Sequence, residues 1–313
     1  MMQRIKRLAR KFFLDLDNGV DSSTVFVTGI ARSGTTWLSE VINYDNSYRE
    51  IFEPFLSYKV KQARSFLLNQ YIHPNNQSTT LVENAKTILS GKIRNAWTDQ
   101  GNRKFISTKR IIKDVRTNLM LKWLHNIRPG MPIILLIRHP LPIFLSWKKL
   151  GWGTGSEFGI RDFDGVVNQV DLLSDFPIIR DSLEQIDRGS YFEQLIFLWC
   201  LFYYVPLKQL SRQDYWFVFY ESLLLAPEEE FERLFSYLKK PFNYGKIINE
   251  VQKPSKTNFN KMDFAGSPEK IICSWRKDIT AVELSRTHEI LKMFDLDRFY
   301  TGEGFPIDPP YIV

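Results

Sequence analysis

Cysteine is scarce in this chain, and long apolar runs are absent. Two cysteines among 313 residues, Cys200 and Cys273, cannot form the disulfide framework of a small secreted domain. No stretch approaches the roughly 18 uncharged apolar residues of a membrane-spanning helix. The first residues also lack the apolar core and the cleavage site of a signal peptide. We therefore expect a cytoplasmic protein.

The amino-terminal segment 1–20 is basic and carries scattered apolar side chains. This composition favours a terminal helix that is docked on the domain or solvated. The alternative is an amphipathic helix in peripheral contact with an anionic membrane. Membrane association therefore stays open, as does an anchor outside this sequence.

Metal-ligand clusters are missing as well. The four histidines and two cysteines are dispersed without the spacing of a metal site, so we expect no metal. The net charge of +7 is a mild basic excess that suits an anionic ligand, and we expect no nucleic-acid partner. With 44% hydrophobic residues the chain can bury a sizeable core, but its length permits one large domain or two small ones. The sequence indicates no particular oligomeric state.

One stretch near the amino terminus carries a clear pattern. The β-branched, apolar run 24–27 is typical of a buried strand, and a turn with Gly29 and Gly34 follows it. Apolar residues at helical spacing then continue from Thr35 to Tyr44. A strand, a glycine loop and a helix form a phosphate cradle, because loop amides and the helix amino terminus converge on an anion.

The cradle differs from that of an ordinary ATPase. Gly29 and Gly34 have the spacing of a P-loop, but Thr35 and Thr36 follow where a lysine and a hydroxyl residue are required. The cation is instead Arg32, inside the loop. The pattern favours a nucleotide whose terminal group is handled without that lysine.

The run Arg-Ser-Gly-Thr-Thr-Trp at 32–37 resembles the 5′-phosphosulfate loop of sulfotransferases that use 3′-phosphoadenosine 5′-phosphosulfate (PAPS). Arginine at the first position is typical of the carbohydrate and tyrosylprotein branches. The resemblance implies a single α/β domain over 1–313, with a central parallel sheet flanked by helices. It also implies a set of donor-binding residues in the loop: Arg32, Ser33, Gly34, Thr35, Thr36 and, stacked on adenine, Trp37.

A short strand ending at Glu53 is predicted next, and Phe52-Glu53-Pro54 resembles a segment of carbohydrate sulfotransferases. In an α/β fold the carboxyl ends of strands face the ligand crevice, so Glu53 should point toward it. A hydroxyl acceptor needs a base to take its proton, and the tyrosylprotein branch has its glutamate base at a similar distance from the loop. Glu53 is therefore predicted to be the catalytic base; the alternative is a surface glutamate in a turn.

Lys113 lies near the carboxyl end of the strand predicted over 105–114. The resemblance implies that Lys113, with Arg32, stabilises charge on the sulfuryl group during transfer. In the cytosolic branch a histidine base lies two residues after this lysine, but here that residue is Val115. This departure again assigns the base to Glu53. A solvated lysine in an edge strand is the alternative.

The apolar run 133–137 predicts a central parallel strand buried on both faces. Arg138 follows it, and Ser146 lies on the next predicted helix; the pair resembles the family's 3′-phosphate motif. A guanidinium fork and a hydroxyl suit phosphate oxygens. Tyr220, at the end of a later strand, either reaches the nucleotide or is a core residue. Ser255 matches a donor-side serine of the tyrosylprotein branch.

The sequence indicates the acceptor less clearly than the donor. Segment 150–190, rich in glycine and aspartate, is predicted to be a mobile loop insertion on the acceptor side. Arg32, Phe52-Glu53-Pro54 and Trp275-Arg276 favour a carbohydrate hydroxyl, and protein tyrosine, lipid or a small alcohol stay open. Two rival functions are a P-loop kinase and a non-catalytic relative that binds nucleotide or glycan.

Overall fold

A computed structural model describes residues 16–17, 24–102, 106–152, 162–251 and 267–307. The predicted donor residue Ser255 and nearly all of segment 1–20 lie outside the described residues. Seven strands are present in the described part: β1 (Leu16–Asp17), β2 (Thr24–Thr28), β3 (Tyr48–Phe52), β4 (Ile106–Ser107), β5 (Lys109–Asp114), β6 (Ile133–Ile137) and β7 (Trp216–Phe219).

Five of these strands form one parallel sheet in the order β3-β5-β2-β6-β7, and β1 pairs with β4 separately. The central strands are buried on both faces, as their β-branched and aliphatic sequences predict. The expected α/β fold with a parallel sheet is confirmed. Since all five strands run the same way, their carboxyl ends meet along one edge.

Helices cover the sheet. Those described are α1 (Thr35–Ile42), α2 (Thr79–Leu89), α3 (Leu121–Ile127), α4 (Pro140–Lys149), α5 (Phe163–Val167), α6 (Val170–Asp175), α7 (Ile178–Leu183), α8 (Tyr191–Gln209), α9 (Tyr220–Leu225), α10 (Pro227–Tyr237), α11 (Tyr244–Val251), α12 (Pro268–Ile272) and α13 (Ala281–Met293). Short 3₁₀ turns lie at Gln62–Ser65, Asn118–Met120, Ser274–Asp278 and Asp297–Phe299. Among the described helices, none is both long enough and apolar enough to cross a bilayer.

The buried helix α8 is continuous through Pro206. Proline has no N–H, so the carbonyl of Phe202, four residues earlier, loses its helical partner. Asn118 replaces that partner with its amide nitrogen at 2.9 Å, and its amide oxygen accepts a hydrogen bond from Thr28 at the end of β2. One buried amide thus satisfies the helix and ties it to the strand that leads into the glycine loop.

The prediction of a loop over 150–190 is wrong for most of its described part. The segment folds into the short helices α5, α6 and α7, and their apolar side chains Phe163, Leu172 and Ile179 are buried in the cluster around α8. Residues 153–161 lie outside the described ranges. The glycines and aspartates suggested a loop, but burial of these apolar side chains stabilises helices too short to persist alone.

Candidate functional site

Each strand of the sheet delivers one candidate residue to the same edge. In spatial order, β3 leads to Glu53, β5 carries Lys113, β2 runs into the glycine loop, β6 leads to Arg138 and β7 leads to Tyr220. The parallel register sets Phe52 opposite Lys113. The sheet therefore brings together residues that are far apart in sequence.

The glycine loop packs closely against Leu136 at one end and Tyr220 at the other. A Cβ on Gly29 would lie 2.4 Å from the carbonyl oxygen of Leu136, and one on Gly34 would lie 2.7 Å from the ring of Tyr220. Gly34 also has a φ of 105°, where side chains are strained. Tyr203 ties the loop to β6, since its hydroxyl accepts from the Ile30 amide and donates to Leu136. The loop is thus a rigid turn that requires both glycines.

Gly34→Ala should lower the free energy of unfolding by about 1–3 kcal/mol, because both the positive φ and the clash with Tyr220 oppose a side chain. Gly130→Ala is the matched control: its φ is 78°, but no atom lies within 4 Å of its Cβ position. Urea unfolding of both variants separates the two effects. An equal loss of stability in both would mean that contact with Tyr220 contributes nothing.

The loop ends in the amino terminus of α1. Gly34 caps this helix without a side-chain hydrogen bond, and Thr35 and Thr36 form its first turn with buried side chains. The first amides of a helix lack intrahelical partners and carry partial positive charge. Together with the buried Ser33, this turn has the donors of an anion cradle.

Trp37 occupies a different environment from the one predicted. Its ring is only 4% exposed and packs edge-on against Tyr220 and Phe231, at 5.5 and 6.0 Å between ring centroids. Its indole nitrogen donates to the carbonyl of Val251. This is a core position, so its geometry does not support stacking on adenine; helical spacing alone could not distinguish the two roles.

Two arginines come together beside the loop. The Arg32 Nε donates to Ser146 Oγ at 2.9 Å, and Arg138 Nη1 donates to the Arg32 carbonyl at 3.2 Å. The Arg138 guanidinium lies 4.3 Å from the centre of the Tyr220 ring. Tyr220 thus packs against both the loop and the cation.

This cationic group has the character of an anion site. Arg138 Nε is buried without a hydrogen-bond partner. Burial and the nearby charge of Arg138 lower the pKa of the Arg32 guanidinium. A buried donor without a partner and two like charges in proximity are both costly, and an anion with several oxygens would relieve both costs.

A second charged group lies at the ends of β3 and β5. Lys113 Nζ lies 2.5 Å from Glu53 Oε1, and Arg116 Nη1 lies 2.7 Å from Glu53 Oε2. Glu53 has a φ of 42°, a left-handed conformation that is unusual for a glutamate. Its backbone is held at both ends, since its N–H donates to the Lys113 carbonyl and its own carbonyl accepts from the Trp97 indole. The carboxylate is therefore fixed between two cations.

The electrostatics of Glu53 follow from this arrangement. Burial alone would raise the pKa of the carboxyl, but the charges and hydrogen bonds of Lys113 and Arg116 outweigh it and lower the pKa to about 2. Glu53 is therefore ionised at neutral pH. While both cations remain in place, it is a weak base.

Sequence reasoning missed Arg116 and the role of Asp114. The buried Asp114 accepts hydrogen bonds from the Phe55 and Arg116 amides, at 2.8 and 2.9 Å, and so joins the turns after β3 and β5. Burial raises the pKa of this carboxyl. One signal in the sequence could have identified Arg116. It is a second cation, three residues after Lys113, and it comes just after a strand whose carboxyl end faces the crevice.

The predicted site residues thus form two groups within the described part of the chain. Arg32, Ser146 and Arg138 are in one, beside the glycine loop, and Glu53 and Lys113 are in the other. Across the described ranges, no three His, Cys, Asp or Glu side chains are arranged to hold a metal ion.

Comparison with known proteins identifies a family for this chain. The family model for the sulfotransferase domain matches residues 22–277. No curated protein sequence matches the chain.

Several solved structures share low identity with it. The sulfotransferase domain from the curacin biosynthetic pathway is 15% identical, with 90% of this chain and 99% of that one covered and a TM-score of 0.45. The sulfotransferase domain from the Synechococcus PCC 7002 olefin synthase is 16% identical, with 90% and 96% covered and a TM-score of 0.44. Retinol dehydratase, in complex with androsterone and the inactive cofactor PAP, is 15% identical, with 93% and 84% covered and a TM-score of 0.42. Because the family model spans most of the chain, the protein belongs to the sulfotransferase domain family.

Proposed function

We propose that this sulfotransferase uses PAPS as donor and transfers the sulfuryl group to an acceptor hydroxyl. The observation that carries the proposal is the buried, unpartnered Nε of Arg138, beside a second arginine and a rigid glycine loop. A bisphosphorylated nucleotide offers one phosphate to the loop and another to Arg138. A nucleoside triphosphate would leave the second position empty.

The chain's residues divide the binding between them. The loop amides with Ser33, Thr35 and Thr36 hold the 5′-phosphate, in accord with the anion preference of a helix amino terminus. Arg138 and Ser146 hold the 3′-phosphate, with Arg32 between the two positions. When bound, PAPS supplies a sulfuryl group that is already activated by its link to phosphate.

Glu53 takes the proton of the acceptor hydroxyl. Its carboxylate is ionised, fixed in direction and located at the end of the strand next to that of Lys113. Lys113 must leave Glu53 to stabilise the charge on the sulfuryl oxygens, and its departure raises the pKa of Glu53. Arg116 keeps the carboxylate oriented meanwhile. Positioning and charge stabilisation then supply most of the rate enhancement, as in phosphoryl transfer.

A carbohydrate is the acceptor we favour. The resemblance of Arg32, Phe52-Glu53-Pro54 and Trp275-Arg276 to carbohydrate sulfotransferases supports it, although Trp275 is buried and is not part of an acceptor surface. Tyr58, five residues after Glu53, is 43% exposed, and the half-buried Trp97 donates its indole N–H to the Glu53 carbonyl. Such amphipathic rings suit a ligand with both apolar faces and hydroxyls. Protein tyrosine, lipid and small alcohols are the alternatives.

The donor assignment is tested by calorimetric binding of 3′-phosphoadenosine 5′-phosphate (PAP), compared with ADP plus Mg²⁺. We expect tight, metal-independent binding of PAP that weakens about 10- to 100-fold in Arg138→Ala, because a charge-assisted, bidentate contact is lost. Arg233→Ala is the matched control, since Arg233 lies near Trp216, at the opposite end of β7.

Preference for ADP with Mg²⁺ would favour a kinase, and an unchanged affinity in Arg138→Ala would refute the proposed 3′-phosphate contact. Turnover is then measured with labelled PAPS and three acceptors: an oligosaccharide, a tyrosine peptide and a small alcohol. PAP binding without transfer to any acceptor would support the non-catalytic alternative. Transfer to the peptide or alcohol alone would overturn the carbohydrate assignment.

A further inference from the structure

A buried carboxylate that interacts with Arg138 has no role in the proposed chemistry. Glu221, in the first turn of α9, is only 2% exposed. Its Oε1 accepts a hydrogen bond from the His139 amide at 2.9 Å, and its Oε2 accepts one from the Tyr300 hydroxyl at 3.3 Å. One side chain thus joins α9, the turn after β6 and the carboxyl-terminal part of the chain.

His139 is held from several directions. Its ring stacks on Trp275, with 4.8 Å between centroids and 10° between planes, and Tyr300 packs edge-on against it at 4.8 Å. Its Nδ1 accepts a hydrogen bond from the Leu141 amide. Burial, together with the charges of Arg138 and Arg276, lowers the pKa of His139 to about 3. The imidazole is therefore neutral. Glu221 contacts the backbone N–H of His139 and not its ring.

The contact between Glu221 and the His139 amide affects Arg138, because His139 directly follows Arg138 in the chain. The carbonyl of Arg138 accepts from the Trp199 indole at 2.8 Å, and the next amide donates to Glu221. The Arg138 guanidinium lies over the ring of Tyr220, the residue just before Glu221. Glu221 thus anchors the amide that follows Arg138, and it is adjacent in the chain to the ring over which the Arg138 guanidinium lies.

We propose that Glu221 is a positioning residue of the phosphate site, which fixes Arg138 through the His139 amide and the Tyr300 hydroxyl and adjusts the electrostatic potential that Arg138 presents to a phosphate. The proposal rests on the proposed role of Arg138 in donor binding. Glu221 belongs to neither the group around Arg138 nor the group around Glu53, and by this proposal it sets the affinity for the donor.

The charges around Glu221 define how it acts. The groups that face it are the Arg138 cation, the neutral His139 and three buried phenols, Tyr203, Tyr220 and Tyr300. Arg276 lies farther off and interacts with His139. Burial raises the pKa of Glu221 to about 7, against the opposing effects of the His139 amide and Arg138. Both protonation states of Glu221 are therefore populated near neutral pH.

The two states present different potentials to a bound anion. An ionised Glu221 offsets part of the Arg138 charge, whereas a protonated one leaves that charge to the ligand. Binding of a phosphate dianion beside Arg138 therefore favours the protonated form. By linkage, binding must take up protons and must weaken as the pH rises through 7.

The test is calorimetric titration of PAP at pH 8 in two buffers of different ionisation enthalpy. At that pH the phosphates, whose second pKa is about 6, are already ionised and release no protons. Wild type should take up a fraction of a proton, and its affinity should fall about 3- to 10-fold between pH 6.5 and 8.5, consistent with a pKa change of up to about one unit. Glu221→Gln should take up none and lose this decline. Glu50→Gln, a buried carboxyl elsewhere in the sheet, should behave as wild type.

Tyr300→Phe keeps the carboxylate but removes one donor to its ionised form, so proton uptake should persist with its midpoint at higher pH. In steady-state assays, Glu221→Gln should change the KM for PAPS and leave kcat unchanged. Proton uptake that survives in Glu221→Gln, or an unshifted midpoint in Tyr300→Phe, would overturn the proposal. Absence of Arg138-dependent PAP binding in wild type would instead refute the donor assignment itself, so the two failures are distinguishable.

Discussion

Glu53→Gln should lower kcat about 10²- to 10⁴-fold, the usual contribution of a positioned general base. The amide keeps the size of the side chain and an oxygen for Lys113, but it cannot take the acceptor proton. PAP affinity should stay within about threefold of wild type, since the phosphate contacts lie in the other charged group. Steady-state turnover with labelled PAPS and calorimetric PAP binding measure the two quantities.

Glu50→Gln is the matched control, because Glu50 lies on β3, the strand that leads to Glu53, and both glutamates are 8% exposed. It should retain wild-type kcat. Glu53→Gln removes the negative charge that the buried Lys113 and the half-buried Arg116 both contact, so its stability is checked by urea unfolding. If it does not fold, Glu53→Asp keeps the charge but shortens its reach, and should fold with reduced kcat. Full activity in either folded Glu53 variant would show that the base lies elsewhere.

Lys113→Met should lower kcat about 10²- to 10³-fold, since it removes a cation placed where negative charge develops. It should also change the pH dependence. Glu53 must be ionised to act, so activity falls as the pH drops through its pKa, which is about 2 while both cations are present. Without Lys113 that pKa rises toward its ordinary value of 4.5, and the acidic limb of kcat/KM moves to higher pH.

Lys109→Met controls for the loss of a lysine from β5, because Lys109 begins the strand that Lys113 nearly ends. The control should leave both kcat and the pH profile unchanged. The pH–rate profile is measured from pH 3 upward, where wild-type activity should still be on its plateau. An unchanged acidic limb in Lys113→Met would mean that the 2.5 Å contact with Glu53 does not set the basicity of the carboxylate.

The sequence was most informative where one physical cause dominates. The run 133–137 could only be a strand buried on both faces, and the rule that ligands bind at carboxyl ends then placed Glu53, Lys113 and Arg138 along one edge. Direct contact between Glu53 and Lys113 did not follow from sequence. It depends on the neighbouring positions of β3 and β5, whose order in the sheet leaves no local signal.

Other features escaped prediction for identifiable reasons. Arg116 lies in a turn, where no periodicity reveals which way a side chain points. Trp37 has the same helical spacing whether it packs in the core or contacts a base. The helices within 162–183 are each too short to show an amphipathic pattern, and they form because their apolar residues find a surface on α8. Long-range packing decides all three.

The contact between Glu221 and Tyr300 has a consequence for the order in which the protein is made. The glycine loop is among the first described elements to leave the ribosome, whereas Tyr300, which donates to Glu221 beside the turn after β6, lies near the carboxyl end of the described residues. Chains grow from the amino terminus, and a distant contact forms only after its loop has closed. A nascent chain can therefore form the glycine loop and α1 long before it can form the contact between Tyr300 and Glu221 that helps to hold Arg138. We expect the nucleotide to stabilise only completed molecules, which makes donor binding a late event in the maturation of this enzyme.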